Sequence, residues 1–239
     1  MPFDVDSLLS PVECAKPRKP QEFRAWVLAK CDAFAQIAEL RKPVLRHEGL
    51  FKWFHEEIYP FSLFAVRRYG DRDDILCVPK LDRTSDVDAE IRGPSRTINI
   101  QITGARDPSE HLRMEYLVEH GHVSLTGGTK RAGREIENEV EFVDHRESRA
   151  DHLSWIKTAA EGKAGRGRYG KSYELLISVE DWWFDADDTP DVTDFIERKV
   201  LRLPLEFDAL HIVGTTERLF LSFPLPRGET AGGSAGPVI

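Results

Sequence analysis

A chain of 239 residues with 41% hydrophobic residues, 10% aromatics and a formal charge of −8 suits one globular domain, or one domain with an appended helical segment. The acidic balance argues against indiscriminate binding of nucleic acid or acidic membrane over the whole surface, while leaving room for a local basic patch. Cys14, Cys31 and Cys77 are odd in number and form no CxxC pair, which argues against a disulfide framework or a four-cysteine zinc site and points to a reducing cytoplasm.

The opening MPFDVDSLLSPVE is acidic and lacks a positive flank before an apolar run, so no secretory signal is expected. No stretch approaches 18 uninterrupted apolar residues, and no transmembrane helix is predicted. After an irregular lead-in, Phe23, Val27, Cys31, Phe34 and Ala38 recur at helical spacing, with Pro20 placed to start the helix and Pro43 to end it. A second helix is predicted over 44–58, with Leu50, Trp53, Phe54 and Ile58 on one face and Pro60 kinking or ending it. The class of FSLFAVRRYG is left open. From Asp74 the period changes to two: DILCVPK, SDVDAEI and RTINIQIT read as successive strands, the last two joined by a turn at Gly93-Pro94-Ser95.

DPSEHLRMEYLVEHG reads as a helix capped by Asp107 or Ser109 and stopped by Gly121. HVSLTGG and EVEFVDH read as short strands, and 145–162 returns to helical spacing. YELLISVEDWWF is the most apolar strand and the expected centre of a sheet. DDTPDVTDFIERKVLR reads as a capped helix with Thr193 or Asp191 near its start, and FDALHIVG and RLFLSF as closing strands. The expected division is a lead-in and helix over 1–44, an α/β domain over 45–223 and a disordered tail over 224–239. This order predicts a mixed central sheet flanked by helices, with an antiparallel meander first and a helical N-terminal segment.

Within the meander, Asp86, Asp88 and Glu90 alternate with Val87, Ala89 and Ile91, while Thr97, Asn99, Gln101 and Thr103 alternate with Ile98, Ile100 and Ile102. A hairpin with one solvated face accounts for the alternation. Three acids on one strand face nevertheless repel one another, and the facing strand offers only Arg96. A cation is expected near them, either a metal or a basic loop. Glu57 falls on the apolar face that carries Trp53, Phe54 and Phe61, where an acid is costly unless it has a partner such as Lys52, Arg67 or Arg68, or a metal.

A basic connector, KAGRGRYGK, puts Lys163, Arg166, Arg168 and Lys171 among glycines and Tyr169. It reads either as a solvated loop or as a contact for phosphates or single strands. His111, His120 and His122 lack the spacing of a zinc site. Trp182 and Trp183 read as packing or as a patch for a protein partner.

A helix carrying an acid, a hairpin with an acid on its second strand, a third strand with polar residues two apart, then a helix and a buried strand together resemble the PD-(D/E)XK nuclease superfamily, the restriction-endonuclease-like fold, over about residues 45–222. KAGRGRYGKSYELLISV is similar to the approach to the fourth core strand in that superfamily. The resemblance implies a nucleic-acid-contacting protein capable of metal-dependent phosphodiester hydrolysis, or an inactive copy of that fold serving as a binding module. It implies Mg²⁺ held by Asp88 (or Asp86, one pleat away) with Glu57 and Gln101, and phosphates held by the basic loop. Gln101 stands where the superfamily has Asp or Glu, and Thr103 where it has Lys. An amide brings no charge to the metal and a hydroxyl cannot replace an ammonium, so a displaced lysine is needed, for which Lys80, Lys130 and Lys163 are the choices.

Overall fold

The computed structural model of the chain describes residues 8–82, 86–124, 128–133, 135–139, 144–167, 169 and 172–225. Eight α-helical segments are α1 (Pro11–Cys14), α2 (Pro20–Gln36), α3 (Arg41–Leu45), α4 (Leu50–Trp53), α5 (Tyr59–Tyr69), α6 (Glu110–His120), α7 (His145–Glu161) and α8 (Thr189–Phe195). The strands are β1 (Leu76–Pro79), β2 (Ala89–Arg92), β3 (Thr97–Ala105), β4 (Thr129–Ala132), β5 (Glu135–Asn138), β6 (Tyr173–Val179), β7 (Ala209–Gly214) and β8 (Phe220–Pro224).

Period-two alternation makes the meander. β1 pairs antiparallel with β2, and β2 with β3 in the register Ala89↔Ile100 to Arg92↔Thr97. The Gly93 amide closes the connecting turn by donating to the Arg96 carbonyl at 2.9 Å. β3 then pairs parallel with β6 and β6 parallel with β7, while β8 returns antiparallel, giving the order β1-β2-β3-β6-β7-β8. β6 is central and buried on both faces, as its unbroken apolar run requires. The fold is therefore a mixed α/β sheet flanked by helices, with a helical N-terminal segment. β4 and β5 form a separate two-stranded sheet.

Alternation along β3 and β6 divides the interior into two cores. On one face Ile98, Ile100, Ile102 and Leu176 pack with Phe23, Val27, Phe61 and Phe64 of α2 and α5. On the other, Leu175, Ile177 and Val179 pack with Ile156, Val192 and Ile196 on the α7 and α8 side. Aromatic contacts such as Phe23–Phe61, with centroids 5.4 Å apart, add about 0.5–1.5 kcal/mol each beyond the area they bury.

Several local expectations are corrected. FSLFAVRRYG is helical, and neither Pro43 nor Pro60 ends a helix: Pro43 lies inside α3 and Pro60 inside α5. A π-helical turn over Phe54–Ile58 joins α4 to α5, the Tyr59 amide reaching back to the Phe54 carbonyl. The widened turn lies just where the proline ring and its missing N–H would disturb an α-helix, so the helix passes through it. His122–Ser124 form no strand, and β4 and β5 lie earlier than EVEFVDH, of which 140–143 fall outside the described residues. The helix at α8 is capped upstream of the expected residues, by a box between Asp185 and Asp188 around a short 3₁₀ turn. The expected disordered tail starts too early, since Pro224 ends β8 and Leu225 is buried in the core, while 226 onward lies outside the described residues. Among the described residues no helix is long and apolar enough to cross a membrane.

Candidate functional site

The acidic row does not stay a row, because β2 begins only at Ala89 while β3 runs on to Ala105. Past that point β3 has no β2 partner, and the sheet opens into a fork. Asp88 sits in the fork. Its Oδ2 accepts the Ile102 amide at 2.6 Å and a short hydrogen bond from the Gln101 side-chain amide. The Asp88 carboxylate thus satisfies a β3 amide that the absent strand leaves open. Asp86 is exposed one pleat earlier.

Glu90 belongs to a different environment. Lys80, just past β1, reaches it at 2.8 Å, and Arg92 on its own strand at 2.7 Å. Burial works against its charge, but the hydrogen bonds from Lys80 and Arg92 outweigh burial and hold the carboxyl below its ordinary range. The cation required by the acids therefore comes from the β1 side, where strand order and not sequence spacing puts it.

Glu57 projects from the π turn toward the fork. Burial pushes its carboxyl up to about 8, with the charges of Asp88 and Glu56 adding to the shift and those of Lys163 and Lys52 opposing it. Asp88 is raised too, chiefly by burial, with the Asp86 charge adding to it; the Ile102 amide, the Lys163 charge and Gln101 work the other way. Gln101 is bonded to Asp88, the Asp88 charge acts on Glu57, and the Lys163 charge acts on both carboxyls. Lys163 follows α7, which packs on the sheet face opposite to α5. Groups from both faces meet here because the fork leaves that side of β3 uncovered. Of the three lysines considered for a displaced role, Lys80 is bound to Glu90 and Lys130 to Glu137 and Glu139, while Lys163 acts on both fork carboxyls.

The basic connector divides differently from the sequence expectation. Lys163 turns to the acids, Arg166 is exposed, and Arg168 and Lys171 lie outside the described residues. Tyr169 is no open stacking platform: it is buried and stacks on Phe207 at 4.5 Å. His111, His120 and His122 are exposed and each faces a nearby backbone carbonyl.

Two groupings carry no sequence signal. His145, Asp185 and Asp188 come within 4.8 Å of one another at the protein surface, but Arg149 already engages Asp188. His47 and His55 stack at 5.0 Å beside Arg106, eight residues apart across Gly49, a spacing that matches no ligand motif.

Comparison of the chain with family models, with curated proteins and with solved structures gives no match to any of them. Function therefore rests on the chemistry of the fork.

Proposed function

We propose that the fork is a divalent-metal site for phosphodiester hydrolysis on nucleic acid, in a divergent protein of PD-(D/E)XK type. What supports this is that Glu57, a carboxyl raised by burial and by the Asp88 charge, and Asp88, raised chiefly by burial, both feel the Lys163 charge. Two acids held together in a partly dry place are unfavourable unless a cation joins them. The donor set fits Mg²⁺: Asp88 keeps Oδ1 outside the two hydrogen bonds made by Oδ2, Glu57 supplies a second carboxyl, and half a turn of the Gln101 amide presents its oxygen. Bound there, Mg²⁺ would stabilise the charge that develops on phosphorus. Lys163 supplies the ammonium that Thr103 lacks, suited to hold the proton balance of an attacking water or to pair with a phosphate oxygen. The exposed Arg166 extends the positive surface away from the fork. Three free thiols fit a reducing compartment, and we assign the activity to the cytoplasm.

A second reading has its own observation. The Gln101 amide spends its hydrogen bond on Asp88 and brings no charge, which favours an inactive copy that binds nucleic acid or a protein partner without a metal.

Calorimetry with Mg²⁺ and Mn²⁺ in buffers of different ionisation heat separates the two. With Glu57 near 8, a metal bound at pH 7 should expel about one proton, and affinity should rise about tenfold per pH unit until it levels off above pH 8. Asp88→Ala and Glu57→Gln should each remove the proton release. Millimolar metal without heat or proton release would sink the hydrolase and leave the binding module.

A further inference from the structure

On the side of the π turn away from the fork, a cavity of about 170 Å³ lies against Ala105, Val179 and Thr215. These residues end β3 and β6 or follow β7, so the cavity sits at the carboxyl ends of the three parallel strands, where open α/β sheets collect ligands. Past His47, Arg106 and Glu110 it continues into a groove of about 630 Å³.

The lining is polar and paired loosely, with Arg106 set among Glu110 and Glu180. His47 is held at φ 49°, a costly conformation for a residue with a Cβ, and its ring lies nearly parallel to that of His55. His55 Nε2 is buried and has no hydrogen-bond partner. The Arg106 guanidinium stands 3.4 Å from His47 Nδ1, 3.4 Å from Glu56 and 3.6 Å from Glu110, longer in each case than a charge-assisted hydrogen bond. Its donors remain open to a better partner, and the glutamates offer acceptors beside them.

That balance selects a ligand. An anion would face Glu110 and Glu180, and a cation would face Arg106. A neutral planar group with both donors and acceptors meets neither penalty, stacks on the imidazoles, and satisfies Arg106. We propose that this cavity takes a nucleobase, with the attached sugar at the mouth of the adjoining groove. The proposal rests on the reading of the fork as a nucleic-acid site, since His55 at the cavity and Glu57 at the fork lie two residues apart in one π turn.

The test is proton NMR of the His47 and His55 rings during titration with guanosine, adenosine, cytidine and uridine. At least one nucleoside, added to about 10 mM, should shift both rings, since a single stacked and hydrogen-bonded base is expected to bind at about 1 mM. The affinity should be the same in EDTA and in Mg²⁺, and should fall at least about tenfold in Arg106→Gln and in Arg106→Lys, which keeps the charge without the planar fork of donors. Silence of both rings toward all four nucleosides overturns the proposal. So does an equal response to ribose 5-phosphate, which would mark an anion site. Because the readout needs no metal, nucleoside binding beside a fork that takes no Mg²⁺ would retain the base site and discard the hydrolase, and metal binding without nucleoside binding would do the reverse.

Discussion

Two acids drawn toward the interior, Asp181 and Glu57, behave in opposite ways. Asp181, after β6, is fully buried, and each of its oxygens is fully used: Oδ1 accepts from the Thr216 amide and hydroxyl at 2.7 Å, and Oδ2 from the Arg218 and Leu219 amides at 2.8 and 3.0 Å. It closes the turn between β7 and β8. Gly214 is there because the carboxylate fills its side-chain space; a Cβ would lie 1.9 Å from Oδ2. At the fork, Glu57 has no such set of donors and lies against another acid. Burial with satisfaction builds the fold, whereas burial with frustration stores chemistry.

The largest effect that can break this contrast is at the turn. Asp181→Ala strands four donors, and Gly214→Ala drives a methyl into the carboxylate; each should cost about 3 kcal/mol or more in urea unfolding. A loss below about 1 kcal/mol in both would make Asp181 a spectator.

The fork should respond in the opposite sense. Glu57 is raised in the fold, so the folded state holds a proton that the unfolded chain gives up from about pH 4.5. Stability therefore falls as pH rises from there to about 8 and then stays level. Glu57→Gln removes that fall. It should leave stability unchanged at pH 4 and raise it at pH 9 by on the order of 2 kcal/mol, after discounting for the water that reaches a half-buried side chain. Loss of stability at pH 9 would mean that Glu57 is a structural acid like Asp181.

Glu90 sharpens the comparison from the weak end. It is paired twice but partly solvated, and Glu90→Gln should cost about 0.5–1 kcal/mol and leave metal binding at the fork intact. A change in metal affinity would restore the acidic row as one unit.

Much of the frame follows from local pattern. Period-two alternation defines β1, β2 and β3, the long apolar run of β6 marks the sheet centre, and Gly121 at φ 78° ends α6 as its position after the apolar periodicity requires. Glu57, Asp88 and Gln101 stand out in the sequence because polar groups on an apolar face or beside acids need a reason. Pro60 misleads, since the π turn that absorbs it depends on packing and not on propensity. The fate of the three acids was decided by where β2 stops short of β3, a matter of one or two residues of register that alternation cannot specify. Lys163, more than seventy residues along the chain from Asp88, meets the acids only once helices from both faces close around the open side of β3, and the His47–His55–Arg106 cavity exists only once the π turn meets the carboxyl ends of the parallel strands. Local sequence sets which groups want partners; only the tertiary structure sets which partners are within a few ångströms, and electrostatic energy is decided at that distance.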